Sequence, residues 1–365
     1  MPLPIREEII RLTSDLIRFD STADRPDQLH AVIDYVDGYL QAVPGLIIHR
    51  SEAQGKPSLV ATLRPTQTPT LFLNGHLDVV AAQAQQFEPT LQGDRLYGRG
   101  SQDMKGSVAV LMRLAHDLAS LETPPNVGFQ FVSDEEIGGD AGTGRLLAEG
   151  WRCGCFIAAE PTDMRICNEQ KGIVWLRLRI PGAAAHGSRP WEGQNPLFAL
   201  AHGLVELMRR FPPPQQEAWI TTVTPTSVKT SSSTNNQIPP DALVSLDIRH
   251  VAEDTPESVS AAVQESFAQS EIITHKTAGA MITHADEPLI ALLAQTCATI
   301  RGTPATFYRE HFGSDARFYS LAGIPSVCFG PVGHGLHSDD EWVSIESLEQ
   351  FYHVLYTYSQ ALPKG

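Results

Sequence analysis

The sequence predicts an α/β fold, a mixed sheet with helices on both faces, into which the chain inserts a smaller α+β layer of four strands and two helices. Three observations carry this expectation. Apolar runs of strand length alternate with helical patterns through the first 171 residues. The rhythm changes between 172 and 281, and afterwards a helix, a strand and a long closing helix return to the first pattern. A chain of 365 residues has room for two domains and buries roughly three quarters of its unfolded surface. The expected organisation is a discontinuous first domain, 1–171 with 282–365, and a second domain at 172–281.

In chain order, the apolar spacing over 7–18 and 29–42 predicts two amphipathic helices. The short apolar runs at 59–63 and 71–73 predict strands, 108–118 a helix, and 127–132 a buried strand. In the inserted part the pattern reads as a strand at 173–180, a helix at 196–210 opening on Pro196, two strands of which the second covers 242–249, a helix at 256–270 and a last strand. A helix at 288–300, a strand around Val327 and a helix at 345–361 complete the first domain. Pro212-Pro213-Pro214 and 230–234 are loops, and no internal repeat is present.

Polar residues interrupt this frame where strands end. His76 closes the run Leu71-Phe72-Leu73-Asn74-Gly75, and Asp78 follows two residues later. Residues i and i+2 of an extended chain share a face, so the Asp78 carboxylate is in reach of the imidazole nitrogen that a metal would leave free. Asp103 sits in the glycine-rich turn 97–106, Asp134-Glu135-Glu136 follow the strand 127–132, and Glu160 follows Phe156-Ile157-Ala158-Ala159. Two more imidazoles, His334 and His337, lie in 333–341.

Carboxylates brought together repel, and burial raises their pKa further, so Asp103, Glu135, Glu136 and Glu160 in one crevice need a counter-charge. A divalent cation supplies it. Imidazoles with carboxylates suit zinc, with cobalt or manganese as alternatives. Calcium would take oxygen ligands alone, and structural zinc is cysteine-rich. Strand ends are also where open α/β sheets form ligand crevices.

These motifs resemble the M20 metallopeptidases, the group that includes acetylornithine deacetylase, succinyl-diaminopimelate desuccinylase, aminoacylase and glutamate carboxypeptidase. Gly-His76-Leu-Asp78-Val-Val, Gly-Arg-Gly-x-x-Asp103-Met-Lys-Gly, Glu135-Glu136-Ile-Gly-Gly, Glu160-Pro-Thr and Leu-His337-Ser-x-x-Glu stand in the family's order over essentially the whole chain. The resemblance implies a zinc-peptidase-like catalytic domain carrying a lid domain that also dimerises. It implies two divalent ions per chain, His76, Asp103 and Glu160 holding one and Asp103, Glu136 and His337 the other, with Asp103 bridging. Glu135 resembles the general base and Asp78 the orienter of His76, and the Asp103–Met104 peptide is expected to be cis. Spacing to the following Asp and Glu favours His337 over His334 as the ligand.

In the lid, His186 looks like the residue that stabilises the oxyanion, reaching across from the partner subunit in dimeric members. Asn236 and Arg249 look like substrate contacts, and Gly330 is expected to line the substrate pocket. Glu310 and His311 are given no more than a pocket role. The implied activity is metal-dependent hydrolysis of the amide bond in an N-acyl amino acid or short peptide with a free carboxylate, by a homodimer. The alternative on the same fold is a non-catalytic metal-dependent protein that binds an amino acid or peptide. Glu135, which metal binding does not require, speaks for the enzyme.

Composition removes other classes. A formal charge of −15 with no dense basic stretch argues against a nucleic-acid partner. Five cysteines without a Cys-x-x-Cys pair indicate neither a disulfide framework nor a thiolate zinc site. The first residues mix charge and apolar positions unlike a signal peptide, and no run is long enough to span a membrane, so no membrane partner and a cytoplasmic location are the default expectations.

Overall fold

The apolar runs of the first part form a nine-stranded mixed sheet, ordered Ile47–Ala53, Lys56–Thr62, Val127–Val132, Leu71–His76, Cys155–Ala158, Ser326–Cys328, Ile166–Gln170 and Met281–Ile282, with Phe307–Glu310 also paired to Ile166–Gln170. This is a computed structural model, and it describes residues 3–363. The middle of the sheet is parallel, with Leu71–His76 between Val127–Val132 and Cys155–Ala158, and Ser326–Cys328 parallel to the last of these.

Central parallel strands are covered on both faces, and every residue of these three is buried. Their two-residue alternation decides which face each side chain serves. Leu71, Leu73, Phe129, Phe131 and Ile157 join one core with the helices Ile5–Ile17, Pro26–Gln41, Gly106–Ala119, Pro288–Arg301 and Ile345–Ala361. Phe72 and Phe156 turn to the other face. There Phe156 stacks on Tyr319 with ring centroids 4.1 Å apart, and Phe72 meets Tyr319 and Trp151 edge-on. Full burial of each such ring contributes roughly 1.5–3 kcal/mol. The Tyr319 hydroxyl donates to Trp151 O (2.9 Å) and accepts from Gln130 Nε2 (2.7 Å), so its polar end is satisfied inside the core.

The strand expected at 71–73 continues to His76. Polar Asn74 is accommodated because its amide donates to Thr143 Oγ1 at 3.0 Å. Gly75 is required because a Cβ there would lie 2.8 Å from Val108 Cγ2. The edge strand Ile47–Ala53 carries no apolar alternation and is largely exposed. It forms by hairpin pairing with Lys56–Thr62 through Gln54 and Gly55, both at positive φ.

The described chain divides into two units. One takes the chain up to Glu169 together with Ile282–Arg309 and the part from Ser314 onward, and the other takes Gln170–Met281 with Glu310–Gly313. The second unit is an antiparallel sheet in the order Thr222–Thr230, Asp241–His250, Gly172–Pro181, Glu271–Ala278. Val174, Leu176, Leu178, Ile180, Val244 and Leu246 pack against Leu200, Leu207 and Val263 of the helices Pro196–Arg210 and Pro256–Ser266. The second helix stops at Ser266 and does not reach Ser270. Phe267 leaves the helical region (φ −122°, ψ 60°), and its ring fills the space over Gly203, where a Cβ would come within 2.1 Å.

A further small antiparallel sheet joins Gly333–His334, Trp342–Ser344, Arg95–Tyr97 and Thr90–Gln92. Three-residue strands have too little periodicity to be read from sequence, yet these bring the segment carrying His337 beside the turn carrying Asp103. The Asp103–Met104 peptide is cis.

Candidate metal centre

Three parallel neighbours end in, or are followed within four residues by, polar residues, and their parallel order sets these ends along one edge of the sheet. The register pairs His76 with Val132 and Asn74 with Ala158. His76, Glu135, Glu136 and Glu160 therefore leave the sheet together at the carboxyl ends of the strands. Asp103 arrives from the turn ahead of Gly106–Ala119, in which Gly100 takes φ +80°. His337, at φ +59°, arrives from the loop beyond Gly333–His334.

Two clusters result. Ligand atoms of His76, Glu135 and Glu160 lie within 4.8 Å of one another, as do those of Asp103, Glu136 and His337. Asp103 connects the two. Its Oδ1 is 2.9 Å from His76 Nε2 and its Oδ2 is 3.3 Å from His337 Nε2. His76 Nε2 is 4.0 Å from Glu160 Oε2, and His337 Nε2 is 3.4 Å from Glu136 Oε2. Glu160 Oε1 is buried with no hydrogen-bond partner. An orphaned carboxylate oxygen aimed into a crevice of imidazoles and carboxylates fits a divalent cation with mixed nitrogen and oxygen ligands.

Asp78 reaches this site differently from the i,i+2 expectation. His76 Nδ1 lies 2.9 Å from the Asp78 carbonyl oxygen and 3.6 Å from its carboxylate. The carboxylate instead accepts from the backbone N–H of Glu135 (3.2 Å) and Glu136 (2.9 Å). One residue thus fixes the ring of His76 with its main chain and the Glu135-Glu136 turn with its side chain. Asp134 supports the same loop by accepting from Ala141 N at 2.7 Å. Its burial and the nearby Asp315 carboxylate push its pKa up to about 7.

Imidazoles and carboxylates shift one another's pKa values across the cluster. Burial disfavours charge on His76, but hydrogen bonds to Asp103 and Asp78 hold its pKa well above the usual imidazole value. His337 is raised to about 10 by hydrogen bonds to Asp103 and Glu136. Burial would raise Asp103, yet His337 and His76 keep it below the ordinary carboxylate range. Glu160 is pushed up to about 8, and Glu135 well above its usual value, by burial and by neighbouring carboxylates.

The sign of a metal-binding pH dependence follows. Below about pH 10 His337 holds a proton, and below about pH 8 Glu160 does as well, and a cation must displace both. Metal affinity is expected to rise from pH 6 to pH 9, with protons released on binding at pH 7. Calorimetry in two buffers of different ionisation enthalpy reads that release, and an identical heat in both would contradict it.

Sequence reasoning gave no role to a buried chain beneath the crevice, in which Asn74 donates to Thr143 and Thr143 donates to Asp315 Oδ2 at 2.6 Å. Thr143 and Asp315 lie 172 positions apart, and nothing local in the sequence marks their pairing. Gly330 lacks a side chain because the Ala159-Glu160 backbone passes against it. A Cβ would fall 2.3 Å from Glu160 O, and its N–H donates to Thr162 Oγ1 at 2.9 Å. His186, Asn236 and Arg249 belong to the second unit. His186 is exposed on the short strand pairing 185–186 with 237–238. Its Nδ1 accepts from Ser188 N at 3.2 Å, which leaves the proton of a neutral ring on Nε2. Arg249 is held by Asp247, Nε to Oδ1 at 2.7 Å and Nη2 to Oδ2 at 3.2 Å. Glu310 accepts from His311 N, and His311 Nε2 lies 3.4 Å from Glu217, all within the second unit.

The model of peptidase family M20/M25/M40 matches residues 72–361. A succinyl-diaminopimelate desuccinylase of Stenotrophomonas maltophilia is 29% identical over 322 residues, spanning 77% of this chain and 80% of that protein. An M20 family metallo-carboxypeptidase from Sulfolobus solfataricus has the same fold, with a TM-score of 0.80 at 16% identity over 97% of this chain and 99% of that one. A dinuclear metal binding peptidase of the M20 family from Bacillus subtilis gives 0.68 at 13% identity over 97% of each chain. With the family model covering most of its length and the family's metal-ligating residue types gathered at one sheet edge, this chain belongs to peptidase family M20/M25/M40 and is a metallohydrolase.

Proposed function

We propose that the protein is a dinuclear metal-dependent amidohydrolase acting on an N-acyl amino acid or a short peptide with a free carboxylate. The observation that supports this most is Asp103, whose two oxygens address His76 and His337 in two separate clusters. In this reading His76, Asp103 and Glu160 hold one cation and Asp103, Glu136 and His337 the other, zinc being preferred by the ligand set and cobalt or manganese accepted. When bound, the two cations lower the pKa of a water toward neutrality and polarise the scissile carbonyl.

The remaining chemistry falls to the chain's own side chains. Glu135 is anchored through its N–H to Asp78. It takes a proton from the attacking water and returns it to the leaving amine nitrogen. Its raised pKa suits a base that must hold the proton until the amine departs. His186 offers Nε2–H to the developing oxyanion. Asn236, Arg249 and the backbone at Gly330 contact the substrate, with Arg249, oriented by Asp247, on the substrate carboxylate.

The desuccinylase and carboxypeptidase names among its relatives select the panel: succinyl-diaminopimelate, acetylornithine, N-acetyl amino acids and dipeptides. After cations are returned to chelated protein, at least one carboxylate-bearing amide is expected to be cleaved, and its methyl ester far more slowly. Failure of every carboxylate-bearing amide would count against the class.

We read the second unit as the lid and dimerisation domain. Phe198, Val205 and Met208 are all more than half exposed along one face of Pro196–Arg210, an apolar stripe that a second copy would cover. Light scattering is expected to give twice the 39.9 kDa chain mass, and a monomer at all concentrations would remove the dimer. No described helix is long and apolar enough to cross a membrane.

A further inference from the structure

Glu341 lies four residues beyond His337 and is 2% exposed. The sequence motif counted it without giving it work. Its Oε2 accepts from Arg99 Nη1 at 2.5 Å and from Gly100 N at 3.0 Å, and its Oε1 accepts from Gln102 N at 3.0 Å and Asp103 N at 3.1 Å. Arg99, equally buried, extends its other amino group to Ser338 O at 3.1 Å, the residue after His337. Gly98 N donates to the Glu341 carbonyl at 3.1 Å. A single buried ion pair therefore grips three backbone N–H groups, those of Gly100, Gln102 and Asp103, in the turn that ends in Asp103, and both of its members are tied to the 338–341 segment.

We propose that Glu341 is a positioning residue of the metal centre: paired with Arg99, it holds the Gly100–Asp103 backbone so that Asp103 faces both imidazoles, and locks that turn to the loop presenting His337. The inference rests on the reading of Asp103 and His337 as ligands. Four donors converge on two anionic oxygens. An amide at 341 would turn an NH2 group toward at least one pair of them and leave Arg99 as a buried, uncompensated charge. The turn would relax, and the distance between Asp103 and His337 would no longer be fixed. Groups that orient metal ligands usually matter by about 10–100-fold in metal affinity.

The test is cobalt binding to the chelated full-length protein, followed by calorimetry and by the visible d–d absorption, for the wild type, Glu341→Gln, Arg99→Lys and Asp94→Asn. Asp94 supports the same small sheet from its other side, accepting from Ser344 Oγ at 2.6 Å and Glu346 N at 2.9 Å, and touches neither ligand-bearing turn. It reports what a general loss of stability does. The expected result is two cobalt ions on the wild type, about 10–100-fold weaker binding and an altered d–d band for Glu341→Gln, and wild-type affinity for Asp94→Asn even where its Tm falls. If Glu341→Gln fails to fold, Arg99→Lys, which keeps the charge but loses the fork, is expected to weaken cobalt binding in the same direction. Two cobalt ions on the wild type with unchanged affinity in the folded Glu341 or Arg99 variant would overturn the positioning role alone. No cobalt on the wild type would overturn the ligand assignment and this inference with it.

Discussion

Glu135→Gln is expected to lower kcat by about a hundred- to ten-thousand-fold while leaving metal content and Tm close to wild type. The substitution preserves the backbone N–H that Asp78 accepts and the side-chain volume, so the loop keeps its anchor. It removes only the ability to take up and return a proton. The effect on stability is small for a related reason: burial and the neighbouring Glu160 carboxylate raise the pKa of Glu135 and disfavour its charged form, so an uncharged amide of the same volume costs the fold little. Turnover with the best substrate of the panel and metal analysis of the same sample check this. Near wild-type turnover would remove Glu135 from the proton-transfer role and leave the mechanism without a base.

Asp103→Asn is expected to cost more, because one carboxylate serves both clusters. Its charge offsets His76 and His337 in the metal-free protein and would be shared by two cations in the loaded one. Asparagine keeps the shape and loses the charge. Affinity for both cations should fall by more than about a hundred-fold, beyond the range usual for groups that only orient ligands, and hydrolysis should fall below detection at stoichiometric metal. Glu160→Gln is the informative contrast, since Glu160 belongs to one cluster only and should weaken one cation much more than the other. Equal, modest losses in both variants would argue against a shared carboxylate.

The residues in the crevice were legible because their chemistry conflicts with their surroundings. His76 ends an apolar strand, Glu135, Glu136 and Glu160 follow closely on two others, and a run of buried β-structure does not give way to charge without a reason. The parallel order of those strands, which sets the ends side by side, follows from alternation of strand and helix. The cis peptide after Asp103 came from family resemblance alone, as no composition or spacing marks it.

What escaped sequence reading depended on long-range pairing. The edge strand Ile47–Ala53 is exposed and polar, and only its hairpin partner makes it a strand. The helix from Pro256 ends early because Phe267 finds a better place over Gly203 than on the helix surface, a choice made in three dimensions. The i,i+2 rule placed Asp78 beside His76 correctly along the chain, but its carboxylate is taken by two N–H groups more than fifty residues on. Glu341 and Arg99 meet across 242 positions. Local pattern thus marks which residues carry charge into the core, and tertiary structure decides what each of them holds.

The central claim is that two cations per chain support amide hydrolysis. It is tested most directly by titrating zinc, cobalt or manganese into chelated protein while following both bound metal and hydrolysis of the panel's best substrate. The account predicts no hydrolysis without metal and full activity at about two equivalents per chain. Hydrolysis that persists in the chelated protein, or a protein that binds substrate but no metal, would contradict it.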